Sequence, residues 1–135
     1  MRIEGWEQRL SRVIAYHAAK PFVWGGRDCA TLFSQAVAAL TGENPADGLP
    51  PWFSAASALA SVRAAGFETM QQLVLARFAI IHPSQATRGD VGYFGGHLDA
   101  LACPSVIVGS EVVSMTLGGW AVSPLSSIVL AYKVG

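Results

Sequence analysis

Cys29 stands where proteins commonly place a reactive thiolate. It follows the aromatic-glycine run PFVWGGRD and opens an apolar stretch that predicts an amphipathic helix from about Cys29 to Leu40. Unpaired N–H groups and the helix dipole favour an anion in the first turn of a helix, and this placement lowers the pKa of a thiol. Arg27 would strengthen the effect, whereas Asp28 would oppose it. Cys29 is therefore a candidate nucleophile; the alternative is a small buried hydrophobic residue, as most free cysteines are.

A cysteine nucleophile needs a base, and the chain has three histidines. His17 lies on the apolar face of the first predicted helix, which is typical of a packed residue. His82 begins a His-Pro loop and should face solvent. His97 follows Gly95-Gly96 in FGGHLDALAC, so a flexible turn could swing its ring toward the cysteine, with Asp99 as the orienting partner. The simpler interpretation of His97 is a histidine at the tip of a hairpin.

The elements that position these residues begin with helices. Apolar residues at three- and four-residue steps predict a first helix that ends near Lys20-Pro21: Ile3, Trp6, Leu10, Val13, Ile14 and His17. Asp28 is the predicted N-cap of the second helix, and Gly42 is the glycine that ends it. A third helix should run from Ser54 to Gly66, and a short fourth from Thr69 to Arg77.

The back half of the chain predicts four or five antiparallel strands. The segments VGYF, ALACPSVIVG, EVVSMT, GWAV and SIVLAYKV are short, rich in Val and Ile, and separated by Gly, Ser or Pro. Pro104 falls inside the second segment, so that strand should lie at an edge or contain a bulge. Helices followed by strands indicate an α+β fold, in a single domain over residues 1–135.

The composition argues against several classes of function. Charged residues make up 13% of the chain, about half of the usual share, and the net charge is zero. Electrostatic capture of nucleic acid or of an anionic membrane is therefore not indicated, and the most apolar window, LVLARFAII, is too short to span a bilayer.

Motifs for metals and cofactors are missing from the sequence. It has no phosphate-binding glycine motif and no metal-ligand cluster, and its two cysteines, 74 positions apart, form neither a zinc pattern nor a disulfide framework. We expect no cofactor, no metal, and free thiols in a reducing compartment. The low charge favours a chain that covers much of its surface with partner proteins.

Two segments carry a family resemblance. PFVWGGRDCATLF and RGDVGYF, about sixty residues apart, resemble the NlpC-type cell-wall cysteine peptidases, the bacterial branch of the papain-like fold. That family has an aromatic-Gly-x-x-Asp-Cys helix start, a Gly-Asp-apolar strand, and a following strand that opens with the catalytic histidine. TGENPADGL and PLSSIVLAYKVG look like a phage-encoded offshoot found among tail genes. The resemblance covers nearly the whole chain and implies a half-barrel, with N-terminal helices packed on a four- to five-stranded antiparallel sheet.

The resemblance implies Cys29 as the nucleophile and Gly89-Asp90 as the turn into the first strand of the half-barrel. It fails at the base, because the segment that matches the histidine motif is CPSVIVG, which puts Cys103 at the expected histidine position. A thiol cannot replace an imidazole, since its pKa is higher and it carries no cation to stabilise a thiolate. With this register the two sulfurs should be neighbours. Ser114 and Thr116 lie near the family's third polar residue.

Two functions are compatible with these observations. One is a phage tail-tip or baseplate-hub component that keeps the fold for assembly with other tail proteins and has lost the chemistry. The other is an active cysteine endopeptidase that cleaves peptidoglycan stem peptides during phage entry, with Cys29 as nucleophile and His97 as a displaced base. Cys103 at the base position favours the first, as do the exposed aromatics expected at 52–53 and 118–120. Either protein would be made in the host cytoplasm and carried in the virion tail.

Overall fold

The helices come first along the chain. The computed structural model describes residues 1–95 and 100–135, and within these ranges the helices are α1 (Trp6–Ala18), α2 (Cys29–Thr41), α3 (Ala55–Ala64) and α4 (Met70–Arg77). No helix among them is long and apolar enough to cross a membrane.

Six strands in the described residues form one open antiparallel sheet. They are β1 (Ile80–Ile81), β2 (Val91–Phe94), β3 (Ser105–Ile107), β4 (Glu111–Thr116), β5 (Gly119–Pro124) and β6 (Ile128–Tyr132). Their order is β1-β6-β2-β3-β4-β5, so β1 and β5 are the edges. The α+β class is confirmed, whereas the prediction of four or five strands is wrong. The missed strand is β1, whose two residues pair with β6 far along the chain and therefore leave no local pattern.

Pro104 lies outside the strands, contrary to the prediction. β3 begins one residue later, at Ser105, and lies between β2 and β4 rather than at an edge. Because proline has no N–H to donate, residues 102–104 remain irregular and the strand shortens to three residues. Within β3, the N–H of Ile107 donates to the carbonyl of Asp90 at 2.9 Å.

Side-chain caps begin α2, α3 and α4. Asp28 and Thr31 form a capping box at the start of α2, and Ser54 and Ser57 form another at the start of α3. The hydroxyl of Thr69 accepts the N–H of Gln72 in α4. The predicted cap at Asp28 and the predicted helix start at Ser54 are confirmed, and Gly42 ends α2 with a left-handed φ of 82°.

Helix α2 is the central helix of the core. It packs against α1 and against strands β3 and β4. Its predicted apolar face is buried: Leu32, Phe33, Ala36, Val37 and Leu40. The sheet completes this cluster with Val91, Tyr93, Val106, Val113, Met115 and Tyr132. Alternate residues such as Ile107 and Val112 belong to a second, smaller cluster, because successive strand residues point to opposite faces of a sheet.

A buried carboxylate joins the two ends of the chain. Asp90 directly precedes β2, and its Oδ1 accepts from Arg2 Nη2 at 2.9 Å and from the N–H of Val134 at 3.0 Å. Its Oδ2 accepts the N–H of Thr87 at 2.9 Å. Gly89 has a φ of +96°, and a side chain there would run into Leu40. The Gly-Asp turn therefore has a clear structural role, since it holds both termini against the sheet.

Candidate functional site

Cys29 is the first residue of α2, and its thiol is half-buried at the N-terminal end of the helix. The N–H of Ala30 and the thiol and N–H of Cys103 are hydrogen-bonded to its sulfur. These donors favour a negative charge on the sulfur, as a helix N-terminus does.

The pKa of Cys29 lies below its ordinary value, and Cys103 is the main reason. The side-chain hydrogen bond from Cys103 lowers the pKa most, while burial and the nearby charge of Asp28 raise it; backbone donors lower it further. Cys103 Sγ also lies 3.4 Å from the carbonyl of Leu101, so its single proton has two acceptors. Ionisation of Cys29 directs that proton to the Cys29 sulfur, because hydrogen bonds to a charged group are the stronger ones.

Asp28 organises the loops around the cysteine. The residue is 1% exposed, and each of its carboxylate oxygens accepts two hydrogen bonds. Oδ1 accepts from the N–H and the hydroxyl of Thr31, at 2.8 and 3.0 Å. Oδ2 accepts the N–H of Gly25 at 2.7 Å and the indole N–H of Trp52 at 2.6 Å. A buried carboxylate needs such partners. Here they fasten two loops to the start of α2: the glycine loop, residues 21–28, and the proline-rich loop, residues 43–52.

The proline-rich loop lies directly on the glycine loop. Gly25 has a φ of +75°, and a side chain there would overlap the carbonyl of Trp52. The hydroxyl of Ser61, in α3, donates to the carbonyl of Pro50 at 2.6 Å and holds the loop from the other side. Gly25, the first glycine of WGG, is thus required because the backbone of Trp52 comes too close for a side chain.

These loops enclose an apolar pocket beside the two thiols. Its volume is about 70 Å³, and Cys29 and Cys103 lie in its wall together with Trp24, Phe33, Leu49, Trp52, Met70 and Leu101. A cavity of roughly 150 Å³ holds benzene, so this pocket has room for a small aliphatic group.

Tyr93 approaches the thiol pair from the sheet. Its hydroxyl donates to the carbonyl of Ala102 at 2.9 Å. Burial raises the pKa of Tyr93 well above its ordinary value, and the neighbouring Cys103, Tyr132 and Cys29 raise it further. The phenol therefore keeps its proton and fixes the irregular segment that carries Cys103. The strand pattern VGYF gave no signal for this role.

The two histidines in the described part of the chain are hydrogen-bonded to side chains other than the thiols. His17 is fully buried and its Nε2 lies 2.7 Å from Gln35 Oε1, which confirms the prediction of a packed residue. Burial lowers the pKa of His17. His82 is exposed, as predicted, and its Nδ1 lies 2.7 Å from the Ser84 hydroxyl. His97 and Asp99, the predicted base and its orienting partner, lie outside the described residues.

The hydroxyls near the family's third polar position serve the sheet. Ser114 Oγ lies 2.5 Å from Ser105 Oγ across β3 and β4. The Thr116 hydroxyl donates to the carbonyl of Gly119 in the turn between β4 and β5, at 2.9 Å. Neither of these two hydrogen bonds involves Cys29. Among the described residues, no group of three or more His, Cys, Asp or Glu could hold a metal ion.

The predicted exposed aromatics are only partly exposed. Phe53 is 76% exposed, but Trp52 is half-buried because its indole binds Asp28. Trp120 is half-buried against the main core, while Leu117 on the same turn is 76% exposed. The sequence predicted Trp52 only as an exposed aromatic and gave no sign that its indole would bind Asp28.

The fold and the site together define a class, an α+β domain that presents the cysteine at the start of its central helix to an apolar pocket. Within that class the chain belongs to the family described as a domain of unknown function (DUF6950), whose model matches residues 1–134. No curated protein and no solved structure matches the chain.

Proposed function

We propose that this protein is a phage tail-tip or baseplate-hub component with an NlpC-like, papain-like fold and a degenerate catalytic site. The observation that carries the proposal is the contact between Cys29 and Cys103. In the family that the sequence resembles, an imidazole would stand at the position of Cys103. A second thiol there can share a proton with Cys29 but cannot form the cation that stabilises a thiolate and later protonates a leaving amine.

Exposed apolar side chains support a role in assembly. Phe53 and Leu117 are each 76% exposed, and Val122 is 51% exposed on the edge strand β5. An edge strand offers unpaired backbone groups to a partner, and the chain has only 13% charged residues to keep such a surface solvated. These features fit partners among the other tail proteins.

An active cysteine endopeptidase acting on peptidoglycan stem peptides is the second candidate. The lowered pKa of Cys29, caused chiefly by the Cys103 hydrogen bond, favours this function, as does the position of its thiol at an apolar pocket. In that mechanism the thiolate attacks the peptide carbonyl, the amine leaves with a proton from His97, and water then hydrolyses the thioester.

Hydrolysis of purified peptidoglycan by the full chain separates the two candidates. The wild type, Cys29→Ala and His97→Ala should all release no stem-peptide fragments, as should the matched control His82→Ala. Release by the wild type and by His82→Ala, abolished in the other two variants, would establish the peptidase and overturn the degenerate site.

Presence in the particle tests the tail assignment. Antibody against the purified chain should detect it in purified phage particles, in tail fractions separated from heads. Its absence from particles, with the chain abundant in the infected-cell lysate, would contradict a virion component.

A further inference from the structure

The two thiols of the chain are placed for chemistry with each other. Cys29 and Cys103 are in hydrogen-bond contact, are half-buried rather than sealed, and lie in the wall of the same pocket. We propose that the pair is a modification site, at which an oxidising solution converts the two thiols into a reversible disulfide. This inference is independent of the proposed function.

The backbone on one side of the pair is irregular. A disulfide requires Cα atoms about 4.4–6.8 Å apart and a specific torsion about the sulfurs. Cys29 sits at a helix start, while Cys103 belongs to the irregular residues 102–104, which precede the first residue of β3. Residues 102–104 form no ladder hydrogen bonds of β3, so the bond would form outside the strand.

The reaction needs only a low-molecular-weight disulfide, such as oxidised glutathione, as the oxidant. The Cys29 thiolate, favoured by the donors around its sulfur, attacks one glutathione sulfur, forms a mixed disulfide and releases one glutathione thiolate. The Cys103 thiolate then attacks the Cys29 sulfur and expels the second glutathione. Two electrons and two protons leave the protein, and one glutathione disulfide becomes two glutathione thiols.

The bond would join the start of α2 to the segment that leads into β3. It would close a loop between positions 74 apart and restrict the unfolded chain accordingly. It would also remove Cys29 as a nucleophile and fix one wall of the pocket. The cross-link would therefore convert two half-buried thiols into a stabilising bond.

Thiol counting on the full chain tests the proposal. After incubation with millimolar oxidised glutathione, the native wild type should add no maleimide, weigh two hydrogens less by intact mass, and recover both thiols with dithiothreitol. Its melting temperature should rise by on the order of 10 °C relative to the reduced protein.

Matched serine variants identify the intermediate. Cys29→Ser and Cys103→Ser should each stop at an adduct with a single glutathione, because each lacks the second sulfur. The wild type unfolded in guanidinium should give mainly glutathione adducts, because the pair is no longer held together. A native wild type that carries two glutathiones, dimerises through intermolecular disulfides, or keeps both thiols would overturn the proposal.

Discussion

At the scale of single residues, Cys29 is surrounded by hydrogen-bond donors and lacks a base among the described residues. The Cys103 thiol and backbone N–H groups lower its pKa, against burial and the charge of Asp28. The carboxylate of Asp28 accepts hydrogen bonds from four donors. A thiolate can be stabilised in this way, but donors alone cannot protonate a leaving group. Reactivity toward alkylating agents and peptidase activity are therefore separate properties of this site.

The hydrogen bond from Cys103 sets the pH at which Cys29 becomes reactive. Cys103→Ala should raise the midpoint of the pH–rate profile for iodoacetamide alkylation of Cys29, because it removes the largest influence that lowers the pKa. Below the midpoint the rate should fall about tenfold for each pKa unit restored. Cys103→Ser, which keeps a donor, should lie between the wild type and the alanine variant. Identical profiles for all three proteins would show that Cys103 does not govern the ionisation.

Buried His17 makes the contact between α1 and α2 sensitive to acid. Burial lowers its pKa, so the unfolded chain binds the proton more readily than the folded one. The free energy of unfolding should therefore fall as the pH drops below about 6.5, the ordinary histidine pKa. In His17→Gln the loss between pH 7 and pH 5 should be smaller, by at most about 2 kcal/mol.

Urea denaturation at the two pH values measures this difference. His82→Ala is the control, since His82 is exposed and its removal should leave the pH dependence unchanged. If the free energy of unfolding falls equally between pH 7 and pH 5 in His17→Gln and in the wild type, His17 does not contribute to the acid sensitivity.

At the scale of elements, the helices were predictable because their signals are local. Asp28, Ser54 and Gly42 mark the ends of helices through contacts within a few residues, and the structure has them in these roles. Strand β1 and the interior position of β3 depend on pairings between distant segments, which leave no pattern in the strands themselves. The contact between the two thiols could be predicted only because the family resemblance aligned Cys103 with the catalytic histidine. The hydrogen bond from the indole of Trp52 to Asp28 had no such guide and was not predicted.

The contact between the glycine loop and the proline-rich loop can be tested at Gly25. Gly25→Ala should lower the free energy of unfolding by about 2 kcal/mol or more, because it combines left-handed strain with an overlap with the Trp52 carbonyl. Gly48→Ala is the matched control: its φ of +82° is similar, but a side chain there meets nothing within 4 Å. It should cost only about 1 kcal/mol. Equal losses in urea denaturation would show that the loop contact contributes nothing beyond strain.

At the scale of the whole molecule, one buried carboxylate holds the two ends of the chain together. Asp90 links Arg2, Val134 and the turn before β2, and the side chains of the ion pair are only 16% and 1% exposed. The sequence indicated Gly89-Asp90 through its resemblance to a catalytic family, yet these contacts are structural. The partners of Asp90 include Arg2 and Val134, which lie far from it in the sequence, so no local pattern could have predicted these contacts.

Asp90→Ala should therefore destabilise the fold and leave the chemistry of the thiols largely unchanged. Removing one partner of a buried ion pair costs about 3–5 kcal/mol, because the other charge loses its compensation. Two further donors, the N–H groups of Thr87 and Val134, would also lose their acceptor. Urea denaturation should show this loss, whereas Asp47→Ala, at an exposed turn carboxylate, should change stability by less than about 0.5 kcal/mol. Under native conditions the alkylation rate of Cys29 should be the same in both variants. A large change in that rate with little loss of stability would assign Asp90 to the site instead of the fold.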